Sequence, residues 1–349
     1  MRVLIIKTSA MGDIIHALPV LDYLRQVAPG VTIDWAVEEQ FADLLSGNPL
    51  ISALRLVRTR RWRKQIFAAG TLREVLELWR ELRTQQYDLV FDLQGNLKSG
   101  IVAWVTGAEK RLGFSREYLQ EKINAVFTNR QIPMRREDDS SGGRCLRIVS
   151  VPFGRDYRGM EIATEIHTGP DEEQAAESLI RGCGAGPVVL FHCGTTWQTK
   201  FWSEEGWIEL GRRICSNFPT AMILFSWGNN DERESAGRIA GALGERAQIL
   251  ERYPIKGITA VIKKVDAVVG ADTGLIHLAA AVGTPTVSFY RASDGSVSGP
   301  RGENHVIVQS PLACSSCQRT GCDRDAECRA SITPDAMFAG VEKLLREGA

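Results

Sequence analysis

Apolar residues fall along this chain in two alternating textures. Short, nearly unbroken apolar runs occupy residues 3–7, 33–37, 54–57 and 89–93, and again 188–192, 222–227, 248–250, 267–270 and 286–290. Runs of that length without polar alternation suit strands buried on both faces of a parallel sheet. Between them the apolar positions recur at helical spacing, as with Ile14, Ile15, Leu18, Leu21 and Leu24. The alternation predicts doubly wound α/β sheets. A polar, irregular stretch over 133–157, containing RREDDSSGGR, separates the two sets and reads either as a loop feeding a helix at 145–151 or as part of a linker. At the far end Thr333-Pro334 supplies an N-cap and a first-turn proline for an amphipathic helix running to Glu347.

Length sharpens this to two domains, since 349 residues exceed one typical core. The formal net charge is zero, with 24 Lys and Arg against 20 Asp and Glu in residues 1–165 and 18 against 22 beyond. An excess so mild makes no broad basic surface, which argues against nucleic acid as a partner. No apolar run approaches the roughly 20 residues that span a bilayer, and the opening MRVLIIKTSAMGD lacks the core of a signal peptide. A cytoplasmic location follows, in which the eight cysteines are reduced thiols or metal ligands before they are disulfides.

Candidate chemistry gathers where strands hand over to helices. The first strand breaks into Thr8-Ser9-Ala10-Met11-Gly12-Asp13, a position at which open α/β sheets bind ligands. Gly12 permits a close backbone approach, and Asp13 near a helix start is favoured as a carboxylate, which suits a base. In the second half Ala271-Asp272-Thr273-Gly274 links a strand to a helix whose open amides can hold a phosphate. Thr195, Thr196 and Lys200 follow one strand of the same set, and Glu232 follows another. Hydroxyls, an ammonium, a carboxylate and open helix termini are the groups a nucleotide diphosphate needs. The glycine-rich run at 182–186 precedes a strand and reads as a turn, and the chain holds no G-x-x-x-x-G-K-[ST] loop.

Taken together, KTSAMGD, Val37-Glu38-Glu39, Arg60-Arg61-Trp62-Arg63-Lys64, Asp92-Leu93-Gln94-Gly95, Phe127-Thr128-Asn129-Arg130 and GADTGLIHLAAA resemble the lipopolysaccharide heptosyltransferases of glycosyltransferase family 9, most of all the heptosyltransferase I branch. The likeness covers nearly the whole chain. It implies a GT-B architecture of two Rossmann-like doubly wound domains facing across a cleft. An acceptor domain would take residues 1–165 and a nucleotide-sugar domain 166–330, with a helix over 331–349 packing back on the first. It further implies inverting, metal-independent transfer of L-glycero-D-manno-heptose from ADP-heptose to Kdo of Kdo-lipid A, at the cytoplasmic face of the inner membrane as a peripheral protein.

On that likeness Asp13 is the general base and Lys200 neutralises the leaving diphosphate. Thr195, Thr196, Glu232, Asp272, Thr273, Gly274 and His277 join Lys200 at the donor, while His16 is read as structural. Ser9, Gly12, Gln94 and the basic cluster Arg60, Arg61, Arg63 and Lys64 face the acceptor, whose carboxylates and phosphates suit guanidinium groups. Trp62 and Phe67 offer a contact with a membrane. Departing from many type I members, Cys314, Cys317, Cys322 and Cys328 have spacings open to a structural zinc site or to plain free thiols. Asp323-Arg324-Asp325 matches the D-x-D of metal-dependent glycosyltransferases but lies inside the cysteine loop and reads as a coincidence. Two other readings stand beside the first: a type II enzyme adding heptose to heptose, and a nucleotide-sugar-binding protein without turnover.

Overall fold

The computed structural model describes residues 1–65 and 68–347, so Phe67 lies outside the described residues. The first sheet is built from β1 (Arg2–Ile6), β2 (Thr32–Glu38), β3 (Ala53–Val57), β4 (Leu89–Asp92), β5 (Arg111–Phe114) and β6 (Arg130–Ile132). They pair in parallel in the order β3-β2-β1-β4-β5-β6. The second comprises β7 (Val188–His192), β8 (Met222–Ser226), β9 (Ala247–Ile249), β10 (Ala267–Ala271), β11 (Thr286–Tyr290) and β12 (His305–Gln309), ordered β12-β11-β10-β7-β8-β9. Each sheet thus starts in its middle and winds outward both ways. That is the doubly wound dinucleotide-binding order, and it opens a crevice where the winding reverses, between β1 and β4 and again between β7 and β10.

Contacts divide the chain into Met1–His167 and Thr168–Ala349, two residues beyond the expected boundary. In the first unit Val3, Leu4, Ile5 and Ile6 of β1 are fully buried, as a central parallel strand requires. The core of the second is aromatic: the Phe191 ring packs against Trp207 and Phe225 at centroid distances of 5.0 and 5.5 Å, and Trp202 lies 5.2 Å from Trp207.

All nine strands read from the apolar runs are present. β5, β6 and β12 are additional; β5 and β6 are only four and three residues long, and the interior of β6 is polar. The polar stretch 133–157 belongs to the first unit and is no linker. Buried Asp138 accepts hydrogen bonds from Arg135 N at 2.7 Å and Tyr157 Oη at 2.7 Å, and the helix Ser141–Ser150 begins at a Ser140 cap accepting from Gly143 N at 3.1 Å.

The last helix, Pro334–Glu347, starts as expected, with Thr333 Oγ1 accepting from Ala336 N at 3.2 Å. Its packing departs from what the resemblance implied. Met337, Val341, Leu344 and Leu345 are buried in the same core as Val269 of β10 and Val287 of β11, so its apolar stripe is spent on the second unit. Four apolar side chains on one helix face are enough to fix which sheet it covers.

Candidate active site

In the first unit the crevice between β1 and β4 is organised by Lys7 and Gln94. Lys7 is buried at the end of β1 and donates from Nζ to Leu93 O at 2.8 Å. Its ammonium lies 3.8 Å from Asp13 Oδ1, while Asp13 Oδ2 accepts from Ala10 N at 3.2 Å. Asp13 itself is about half exposed, with 48% of its side chain open. A carboxylate held at one end and open at the other is suited to meeting a substrate hydroxyl. Ser9 and Gly12 lie in the same turn, partly buried. Gln94 Oε1 accepts from both Thr8 N and Ser9 N at 3.1 Å, pinning the turn to the end of β4.

Gln94 is placed in its turn by Asp92, a fully buried carboxylate. One oxygen accepts from Gln94 N and Gly95 N at 3.0 Å, and the other from Ser99 Oγ at 2.9 Å and Asn124 Nδ2 at 2.6 Å. Burial pushes the Asp92 carboxyl up, against those four donors, which favour its charged form. Gly95 follows at φ +75°, a conformation glycine adopts without strain.

The basic cluster occupies the short helix Thr59–Lys64, and its members are not equivalent. Arg61 is ion-paired with Glu74, which also accepts from Trp62 Nε1 at 2.9 Å. Arg60 Nη1 donates to Gln40 Oε1 at 2.7 Å. Arg63 and Lys64 are exposed, with no ion pair among the described residues. Trp62 packs partly buried against the core of the first unit.

In the second unit the crevice between β7 and β10 holds a compact charged trio. Lys200 closes the turn Gln198–Lys200 after β7 and reaches Asp272 Oδ2 at 2.6 Å, just past β10. The other oxygen of Asp272 lies 3.3 Å from His277 Nε2. Desolvation alone would raise the Asp272 carboxyl, but the His277 hydrogen bond and the charge of Lys200 overrule it and hold it well below the usual range. Lys200 also sits 4.7 Å from the ring centroid of Trp197. Thr273 caps the helix Gly274–Ala281, and its hydroxyl is buried without a hydrogen-bond partner. A buried hydroxyl beside open helix amides is equipped for a phosphate oxygen.

Thr195 is partly buried and Thr196 exposed on the loop leading to Lys200. Glu232 lies in the first turn of Asn230–Leu243, where its carboxylate accepts from Gly228 N at 2.7 Å and Asn229 Nδ2 at 2.8 Å. A Cβ at Gly194 would overlap that carboxylate, so glycine there lets the β7 and β8 loops meet. His192 is half-buried, with Nδ1 3.0 Å from Ser226 Oγ, and desolvation lowers its pKa, leaving it neutral near pH 7.

Cys314, Cys317, Cys322 and Cys328 line one cavity of about 450 Å³ beside Arg291 and Asp325. All four are free, and among the described residues no three His, Cys, Asp or Glu side chains are grouped to hold a metal ion. The thiols are a suitable donor set for zinc but not a formed tetrahedral site, and no chemical step is assigned to one. Asp325 pairs with Arg291 and Arg329 at 2.6 and 2.5 Å, which accounts for the second carboxylate of the D-x-D run.

Residue spacing did not reveal that this loop is fastened to the Lys200 turn. Thr199 Oγ1 donates to Arg319 O at 2.5 Å, and fully buried Arg291 bonds Phe201 O at 2.5 Å on one side and Asp325 on the other. Lys7 and Asp92 were likewise unforeseen as site residues. A lysine ending a buried strand, and an aspartate inside one, were the available signals.

Two sheets of one winding order, each carrying charged groups at its switch point, define the GT-B class. A profile of glycosyltransferase family 9 (heptosyltransferase) matches residues 75–326. The chain is similar to lipopolysaccharide heptosyltransferase 1 of Pseudomonas aeruginosa, 35% identical over 324 residues covering 92% of this chain and 87% of that one. The Escherichia coli K12 protein of the same name is 30% identical over 312 residues, 89% and 94% of the two chains. The solved structure of E. coli heptosyltransferase WaaC with ADP-2-deoxy-2-fluoro heptose superposes with a TM-score of 0.79 at 28% identity, covering both chains completely at 100%. This chain is a glycosyltransferase and belongs to family 9, the heptosyltransferases.

Proposed function

We propose that this chain transfers L-glycero-D-manno-heptose from ADP-heptose to Kdo of Kdo-lipid A during assembly of the lipopolysaccharide inner core. The relatives named lipopolysaccharide heptosyltransferase 1 and the ADP-heptose analogue in WaaC support the sugar and its carrier. Two observations support the mechanism, one in each unit: the half-exposed Asp13 carboxylate at the switch point of the first sheet, and the Lys200 ammonium paired with Asp272 at that of the second.

A sugar hydroxyl is a poor nucleophile until its proton is taken. In the proposed reaction the Asp13 carboxylate accepts that proton as the acceptor oxygen bonds to the anomeric carbon. The bond to the β-phosphate oxygen breaks on the opposite face, and the configuration inverts. Charge growing on departing ADP is met by Lys200, Thr195, Thr196 and the amides following Thr273. Glu232 suits the ribose hydroxyls, and Asp272 and His277 hold Lys200 in place. The transfer uses no metal, and the protein works at the cytoplasmic face of the inner membrane without spanning it; no helix among the described residues is long and apolar enough to cross.

The test combines purified protein, ADP-heptose and either Kdo-lipid A or its heptosylated form, with and without EDTA, read by product mass. One added heptose on Kdo-lipid A, insensitive to EDTA and lost in Asp13→Ala, is expected. Addition only to the heptosylated acceptor would assign the type II reaction, and no mass gain on either would remove the transferase reading.

A further inference from the structure

Two neighbouring helices of the first unit turn apolar faces to solvent. On Ala69–Thr84, Leu72, Val75, Leu76 and Trp79 are all exposed, Leu72 by 62% and Trp79 by 43%, whereas Leu82 is the residue buried. Their spacing of i, i+3, i+4 and i+7 makes one continuous stripe, the kind that ordinarily faces a core. On Leu97–Val105, which packs against the first helix, Leu97, Ile101 and Trp104 repeat the arrangement, with Trp104 exposed by 58%. Val102 and Ala103 bury the opposite side. Single exposed apolar residues are ordinary, but adjoining helical stripes mark an interaction surface.

Charge around the stripes selects the partner. Residues 58–126 contain thirteen Lys and Arg against eight Asp and Glu in a chain of zero net charge. The basic helix Thr59–Lys64 is tied to Ala69–Thr84 through Glu74, which pairs with Arg61 and accepts from Trp62. Lys98, on the second helix, lies 3.7 Å from Glu38 and 3.4 Å from Thr59 Oγ1, joining the other stripe to the same basic element. Aliphatic side chains at Leu72, Leu76 and Ile101 offer nothing to a nucleic acid, while exposed Arg63 and Lys64 at the edge of the stripes suit an anionic surface. Aliphatic and tryptophan side chains bordered by cations suit the headgroup region of an anionic bilayer.

We infer that the first unit docks on an anionic phospholipid surface through the exposed faces of helices Ala69–Thr84 and Leu97–Val105, with the Arg58–Lys64 segment at the edge of the contact. The inference rests on the lipid-linked acceptor proposed above and names the surface that brings the protein to it. An acceptor headgroup standing out of the same membrane then meets Arg60 and Arg63 from the side on which the protein is seated.

Flotation of the full chain with vesicles of phosphatidylglycerol and phosphatidylethanolamine, and with phosphatidylcholine alone, tests it without any sugar substrate. Wild type is expected on the anionic vesicles and released by salt. The double variant Trp79→Ser, Trp104→Ser is expected to bind them about tenfold more weakly or worse, with an unchanged melting temperature and unchanged turnover of an acyl-free, water-soluble acceptor. Wild type failing to float, or the variant floating equally, would overturn the inference. So would a wild-type dimer in sedimentation that the variant abolishes. Floating protein that transfers no heptose to either acceptor would count against the proposed reaction and leave the docking face standing.

Discussion

Lys200 and Asp272 meet at 2.6 Å between the ends of β7 and β10, with only 15% and 8% of their side chains exposed. Removing one partner of a buried pair leaves a charge without compensation, at a cost on the order of 3 kcal/mol. Lys200→Met is therefore expected to lower the melting temperature and to reduce kcat by about 100-fold or more, since the leaving diphosphate loses its cation. Adding Asp272→Asn should restore much of the stability and none of the turnover. Thermal melts and steady-state kinetics on both variants separate the two roles.

The same pair gives a pH dependence of known sign. The Asp272 carboxyl is held below its ordinary value in the folded protein, so its contribution to stability is full above about pH 4 and is lost as pH falls through the folded value. Denaturant titrations of wild type and Asp272→Asn between about pH 3 and pH 7 are expected to converge toward the acid end. Curves that stay parallel throughout would mean the carboxylate is not favoured by folding.

Gln94 is expected to matter more for turnover than for stability. Gln94→Leu leaves Thr8 N and Ser9 N without their shared acceptor, and the turn carrying Asp13 loses its anchor to β4. A fall in kcat of about 10-fold or more, with less than about 2 kcal/mol of stability lost, is the expected result. Circular dichroism melts read beside single-turnover rates check it, and an unaltered kcat would remove the anchoring role.

Within the basic cluster, Arg63→Ala is expected to raise the Michaelis constant for acceptor several-fold, on the order of one phosphate or carboxylate contact, while sparing that for the donor. Arg61→Ala should act mainly on stability, because Arg61 is already committed to Glu74. Equal effects of Arg63→Ala on both substrates would point away from acceptor binding.

Thiol chemistry should sort the cysteines by position. Cys314 and Cys317 are exposed and are expected to react first with an aromatic disulfide. Cys145 is buried, and burial pushes its thiol up to about 11, so it should react only on unfolding. Protection of all four residues of the 314–328 loop, together with one zinc per chain by elemental analysis, would instead establish a thiolate metal site.

Nine of the strands were legible because parallel strands buried on both faces leave nearly unbroken apolar runs. Where strands are short and polar, as in β6, that trace fades. Asp272, Thr273 and Lys200 were legible because they follow strand ends, but their meeting was not, since it depends on which strands are neighbours. The fate of the last helix was misjudged for a related reason. A stripe such as Met337, Val341, Leu344 and Leu345 announces that a face will be buried without saying against what.

The Gln94 anchor has a consequence for how the protein comes into being. Its bonds to Thr8 and Ser9 join residues 86 and 85 positions apart, and they form only beside β4, the fourth strand to leave the ribosome. A nascent chain holding β1 to β3 already possesses Asp13 but no means of aiming it. Assembly of the turn is therefore a long-range event that waits on β1–β4 pairing within the first unit.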